Sequence, residues 1–181
     1  MEYNQKVNLV SRNITPDELR QLVAESLLLN EYISFNTIAD AGSGNGLLGI
    51  PIAAANPVKK IFLVEPKKKK TTFLQFAKNE LNLKNIEILP VSLEEFLKKN
   101  KITPLTVISR GFPDLSPLCS YVKKGMINEA VVITSENKIK KNQIHLESLG
   151  QKTYNVPLRD FLKVLKITKT EKTERDKEKR M

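Results

Sequence analysis

The chain has 181 residues with 7 Gly, 9 Pro, one Cys and one His, a length that suits one domain with an ordinary hydrophobic core. Cys119 alone excludes an internal disulfide framework, and with His145 as the sole histidine no local Cys/His metal cluster can be assembled. Thirty Lys and Arg against twenty Asp and Glu give a formal charge of +10, which favours a polyanionic partner through phosphate contacts and counterion release.

Met1 to Val10 are polar and mixed, and the apolar stretch Leu47 to Ala55 is too short and too proline-broken to span a bilayer. The expectation is therefore a cytosolic, metal-independent protein without a membrane segment. Residues 1–169 are read as a single domain whose first 36 residues form a helical lead-in.

Thr15-Pro16-Asp17-Glu18 reads as a helix start, with Thr15 as N-cap, Pro16 at the first helical position and Glu18 closing a capping box. Leu19, Leu22, Val23, Ser26 and Leu27 then repeat at helical spacing and are expected on the buried face. Thr37-Ile38-Ala39 is a short buried strand leading into Asp40, after which a glycine loop opens a helix closed by Asn56-Pro57. Ile61 to Val64 is a second strand ending at Glu65, and the helix after it is expected to bury Phe73, Phe76, Ala77 and Leu81 on one face.

A third strand over 86–91 precedes a helical pattern over 93–98, a fourth over 105–109 precedes a helix over 116–122, and a fifth over 129–134 ends the regular run. Such alternation predicts an α/β Rossmann-like fold, a mostly parallel sheet with helices on both faces, because parallel strands need crossover connections. Tyr154 to Pro157 and Leu162 to Ile167 are expected to pair as an antiparallel ribbon on the sheet edge. The charged run from Thr170 to Met181 has no apolar periodicity and reads as a solvated or disordered tail.

Asp40-Ala41-Gly42-Ser43-Gly44-Asn45-Gly46 places three alternating glycines between a strand and a helix, which lets backbone N–H groups and a helix N-terminus approach a ligand. Gly44 to Gly49 also fits the dinucleotide pattern G-x-G-x-x-G, with Glu65 about 20 residues on to grip a ribose. That match carries one alternative, an NAD-dependent oxidoreductase. Asp40 tilts the reading the other way, since a pyrophosphate disfavours a carboxylate at its edge whereas S-adenosylmethionine brings an ammonium and a sulfonium that attract one. No Lys-Ser or Lys-Thr follows the glycines, so a P-loop is excluded.

Four segments carry a more specific likeness: "YNQKVNLVS" at 3–11, "DAGSGNGLLGIPIA" at 40–53, "LVEPKKKKTTFL" at 63–74 with "NELNLKNIE" at 79–87, and "VISRGF" at 107–112. On these the chain resembles the GidB (RsmG) family of small-subunit ribosomal RNA methyltransferases, which methylate N7 of a guanine in 16S rRNA. The resemblance implies that Gly42 and Leu47 line S-adenosylmethionine, Glu65 takes its ribose, Leu93 and Glu94 meet its adenine end, and Arg110 closes the site. Asp40, Gly44 and Gly46 complete the expected cradle.

Departures from the family pattern are Leu47-Leu48-Gly49 for Phe-Pro-Gly, Ser92-Leu93-Glu94-Glu95 for Arg-Ala-Glu-Glu, no histidine near Ser26, and Thr134-Ser135-Glu136 where a lysine follows strand five. They motivate a second alternative, a non-catalytic homologue that binds cofactor and RNA. Guanine N7 is an unprotonated lone pair, so no general base is expected and no catalytic residue is assigned. Lys67, Lys68, Lys69 and Lys70 open a helix where the macrodipole disfavours cations, and this cost points to use as contacts to ribosomal RNA phosphates. Phe73 and Phe112 are candidate stacking faces.

Overall fold

The computed structural model describes residues 14–157 and 159–170. The "YNQKVNLVS" segment and the charged tail beyond Thr170 lie outside the described residues. Helix α1 (Pro16–Asn30) begins as its sequence dictates, with the Glu18 N–H donating to Thr15 Oγ1 at 3.1 Å and the Thr15 N–H returning to Glu18 Oε2 at 2.8 Å. Its buried face differs from the expected stripe. Glu25, Ser26 and Leu29 are buried, while Leu19 and Leu27 are exposed, because the helix turns toward polar partners at the sheet rim as well as toward the core.

Strands β1 (Thr37–Ala41), β2 (Lys60–Val64), β3 (Ile86–Leu89), β4 (Thr106–Arg110) and β5 (Glu129–Ser135) run parallel. Strands β6 (Gly150–Asn155) and β7 (Leu162–Thr168) form the expected antiparallel ribbon, with β7 pairing β5, and the sheet order is β3-β2-β1-β4-β5-β7-β6. The alternation is that of a sheet buried on both sides. Ile38, Ile61, Leu63, Ile108, Val131 and Ile133 face one core, and Ala39, Phe62, Val64, Val107, Ala130 and Val132 face the other.

Helices α1, α2 (Gly49–Ala55) and α3 (Lys68–Glu80) cover the first core through Leu29, Ile52 and Leu74. Helices α4 (Leu93–Lys99) and α5 (Ser116–Lys124) cover the second through Phe96, Leu97, Leu118 and Val122. Two short helices after β5, α6 (Glu136–Lys141) and α7 (Gln143–Leu146), were not expected, and buried Leu146 anchors them.

Helix α3 also turns a different face inward from the one expected. Leu74 is fully buried, whereas Phe76 and Leu81 are 43% and 55% exposed. Two adjacent apolar stripes compete on this helix, and the one that reaches the sheet is centred on Leu74 beside Ala77 and Phe73.

Chain order reverses between β1 and β4: β2 and β3 extend the sheet from one side of β1, and β4 and β5 from the other. At such a switch point the loops leaving the two carboxyl ends diverge and open a crevice. Among the described residues no helix is long and apolar enough to cross a membrane, and no three or more His, Cys, Asp or Glu converge as a metal site.

Candidate functional site

The crevice is floored by the turn after β1. Gly42 and Ser43 donate N–H bonds to Val64 O at 2.9 and 3.2 Å, tying the turn to the tip of β2, and Ser109 Oγ donates to Ala41 O at 3.0 Å, tying it to β4. Gly42, Gly44 and Gly46 all have left-handed φ, +69°, +62° and +78°, a conformation in which a Cβ is strained. They differ in what a side chain would meet. At Gly42 a Cβ would find no atom within 4 Å, whereas at Gly46 it would lie 2.4 Å from Ile50 Cδ1 and 2.8 Å from Leu74 Cδ2. Gly42 therefore borders the crevice, and Gly46 lets α2 and α3 close against the loop.

Asp40 is 2% exposed, and its Oδ2 accepts the Gly49 N–H at 3.0 Å. Burial pushes its carboxyl up to about 7; the Gly49 N–H opposes the rise, the neighbouring Glu65 adds to it and Arg110 opposes it. The side chain expected to face a cationic ligand thus holds the first N–H of α2. Gly49 has to be glycine for the same reason, since a Cβ there would stand 2.5 Å from Leu63 Cδ2 and 2.8 Å from Asp40 Oδ2. This accounts for the last glycine of the dinucleotide-like string as close packing of helix against strand.

Glu65 is buried at the tip of β2. Its Oε2 accepts the Gly44 N–H at 3.0 Å and its Oε1 the Lys67 N–H at 2.9 Å, so it clamps the glycine loop to the start of the basic run. Leu47 is half-buried in the same loop, and its carbonyl accepts the Ser26 hydroxyl at 2.6 Å, which pins α1 to the site.

Leu93 and Glu94 begin α4, with Leu93 packed in the core and Glu94 exposed and paired with Lys98 at 2.7 Å. The Leu93 side chain is therefore taken up by the core and that of Glu94 by Lys98, which leaves the backbone at the start of α4 as the part free to meet a ligand.

Arg110 ends β4 and meets a buried partner rather than a surface one. Its Nη1 lies 2.8 Å from Glu25 Oε2 and its Nη2 donates to Leu22 O at 3.3 Å, while its Nε is buried without a partner. Glu25 is the site residue that sequence reasoning missed, because an acid on an amphipathic helix reads as solvent-facing. Lys138 is a second. From the first turn of α6 its Nζ donates to Phe112 O at 2.6 Å, bringing a cation to the β4 rim from three residues beyond β5, although none stands at the immediate end of β5.

Lys67 to Lys70 open α3 with no acid in its first turn. Lys68 and Lys69 are exposed, and Lys70 Nζ would lie 3.7 Å from a Cβ at Gly44, so the basic run borders the glycine loop. Phe112 is half-buried against the core, Cys119 is buried in it, and His145 is exposed on α7.

Residues 1–165 match the model of a family described as GidB, rRNA small subunit methyltransferase G. A ribosomal RNA small subunit methyltransferase G of Brachyspira hyodysenteriae is 32% identical over 162 residues, covering 88% of this chain and 78% of the relative. One of Nitrosospira multiformis is 39% identical over 115 residues, covering 64% of this chain and 52% of the relative.

Among solved structures, a precorrin-6y C5,15-methyltransferase of Geobacter metallireducens aligns with a TM-score of 0.63 at 16% identity, covering 92% of this chain and 95% of that one. TrmK of M. capricolum, in complex with S-adenosyl-homocysteine, aligns with a TM-score of 0.57 at 14% identity, covering 81% of this chain and 68% of that one. These likenesses establish a methyltransferase fold of the Rossmann-like kind, as the β–α alternation predicted.

Proposed function

The chain belongs to the GidB family of rRNA small subunit methyltransferases, and from that premise we propose that it transfers a methyl group from S-adenosylmethionine to guanine N7 of small-subunit ribosomal RNA. The observation that carries the cofactor reading is Gly42, exposed and left-handed at the β1 tip, where a Cβ would meet nothing within 4 Å, with the Glu65 carboxylate at the adjacent β2 tip. Bare backbone beside an acid suits a ribose lying across the loop. In this reading Glu65 accepts from the ribose hydroxyls, and the loop from Gly42 through Gly46 to Leu47 supports the nucleoside. The start of α4 at Leu93-Glu94 meets the adenine through backbone, and Arg110 meets the remainder. Asp40 acts at one remove, by fixing Gly49 and the loop.

Bound S-adenosylmethionine supplies an electrophilic methyl on a cationic sulfur. The acceptor N7 carries no proton, so the residues here need only align the two reactants and exclude water, and alignment supplies most of the acceleration. The basic run at 67–70 borders the same rim and supports RNA phosphates entering over α3. Ribosomal RNA as substrate favours action in the cytoplasm, and one seven-stranded sheet with the glycine loop, Glu65 and Arg110 at the ends of its neighbouring strands β1, β2 and β4 favours residues 1–169 as a single unit.

Methyl transfer from labelled cofactor to small-subunit RNA tests the proposal, with incorporation mapped to one guanine as the expected result. Cofactor binding with no transfer would instead favour the non-catalytic homologue, which the departures at Leu47-Leu48 and Ser92 motivate. Reversing Lys68 and Lys69 to Glu is expected to weaken RNA binding and to flatten the log-log salt slope by about one to two, with cofactor affinity unchanged. A salt slope equal to that of the parent chain would return these lysines to the role of a solvated helix end.

A further inference from the structure

Glu25 is 4% exposed, and each of its oxygens meets a different arginine: Oε2 lies 2.8 Å from Arg110 Nη1, and Oε1 lies 3.1 Å from Arg159 Nε. These partners are 85 and 134 residues away in the chain, one at the β4 tip and one in the connection between β6 and β7. Arg159 Nη2 also reaches Gln21 Oε1 at 3.4 Å, one turn back along α1. A single carboxylate thus joins the lead-in helix, the crevice rim and the edge ribbon. Two guanidiniums on one buried acid leave a net positive charge, and each arginine would repel the other without it.

Arg110 stands on the opposite side of β1 from Glu65, since β2 and β4 flank that strand. A nucleoside whose ribose is held at Glu65 and whose tail crosses the glycine loop therefore brings its tail toward Arg110. S-adenosylmethionine carries one anionic group, the carboxylate of that tail. Arg110 retains a buried Nε–H with no partner, and an unsatisfied buried donor is costly unless a ligand or water completes it. An unanchored arginine would have to lose the freedom of four side-chain torsions when it met such a carboxylate; one already clamped has lost it on folding.

Building on the cofactor reading above, we propose that Glu25 is a positioning residue for cofactor capture: it clamps Arg110 to α1 so that the guanidinium is pre-set for the amino-acid carboxylate of S-adenosylmethionine. Glu25 acts through Arg110 and touches no ligand itself.

Titration calorimetry with two ligands tests this: S-adenosylhomocysteine, which has the amino-acid tail, and 5′-methylthioadenosine, which lacks it. Glu25→Gln is expected to weaken the first about tenfold and the second by less than about twofold. Adding Arg110→Lys to Glu25→Gln should cost less than about twofold more, since neighbours acting as a unit are non-additive.

Should the glutamine chain not fold, Glu25→Asp, which keeps the charge and withdraws it by one methylene, is expected to lose about threefold for S-adenosylhomocysteine alone. Equal losses for both ligands, unchanged affinity for S-adenosylhomocysteine, or strictly additive effects at 25 and 110 would each overturn the proposal. If the parent chain binds neither ligand, the cofactor reading falls, and this inference with it.

Discussion

Replacing Gly42 by valine should abolish S-adenosylhomocysteine binding, with affinity falling by more than about 100-fold, or about 2.7 kcal/mol, while the chain remains folded. The glycine sits at φ +69° with nothing within 4 Å of a built Cβ, so a branched side chain would project into the crevice and meet no protein atom. Its penalty to folding is the left-handed backbone alone, about 1–2 kcal/mol, which a domain stable by about 5–15 kcal/mol survives.

Gly46→Ala should behave in the opposite way. A methyl at φ +78° would stand 2.4 Å from Ile50 Cδ1 and 2.8 Å from Leu74 Cδ2, and overpacking of that kind adds about 1–3 kcal/mol to the backbone strain. Denaturant melts beside ligand titrations separate the pair. Gly42→Val should lose the ligand while its midpoint falls only by the backbone strain, and Gly46→Ala should lower the midpoint further before it loses the ligand. Undiminished affinity in the Gly42 variant would remove the cofactor from this loop.

The two glycines look alike in the sequence, and only their neighbours in the fold tell them apart. Periodicity made the β–α alternation legible because each strand is buried on both faces and each long helix carries an apolar stripe. The Thr15 capping box and the Glu65 strand tip were legible because three or four consecutive residues define them. What escaped was everything decided by distant partners. Glu25 is buried by arginines 85 and 134 residues away, and nothing near it in the chain announces them.

An acid at a strand end suits a cationic ligand and serves equally well to hold the first N–H of the following helix, and the bond from Gly49 to Asp40 is visible only in the fold. Helices α6 and α7 span six and four residues, too short for a helical period to declare itself. On α3 two adjacent apolar stripes were present, and the sheet selected the one centred on Leu74.

Asp40 also sets the second large expected effect, a dependence of both stability and cofactor binding on pH. Its carboxyl titrates at 3.8 in its ordinary state and near 7 in the folded chain, chiefly through burial. Between those values the folded chain holds a proton that the unfolded chain has released, so stability falls as pH rises from about 4 to about 7. A gap of about three pKa units amounts to at most about 4 kcal/mol. Asp40→Asn should remove that slope, because the amide cannot titrate while its oxygen can still accept the Gly49 N–H.

The charged groups facing Asp40 are Glu65, which raises its pKa, and Arg110, which lowers it; a cationic ligand settling between them would add to the lowering. Binding near pH 7 is therefore expected to expel up to about half a proton from Asp40. S-adenosylmethionine, with its extra sulfonium charge, should expel more than S-adenosylhomocysteine. Calorimetry in phosphate and in Tris, whose ionisation enthalpies differ, reads the proton count directly. Identical apparent enthalpies in the two buffers, or a proton count that persists in Asp40→Asn, would show that the cation does not sense this carboxylate.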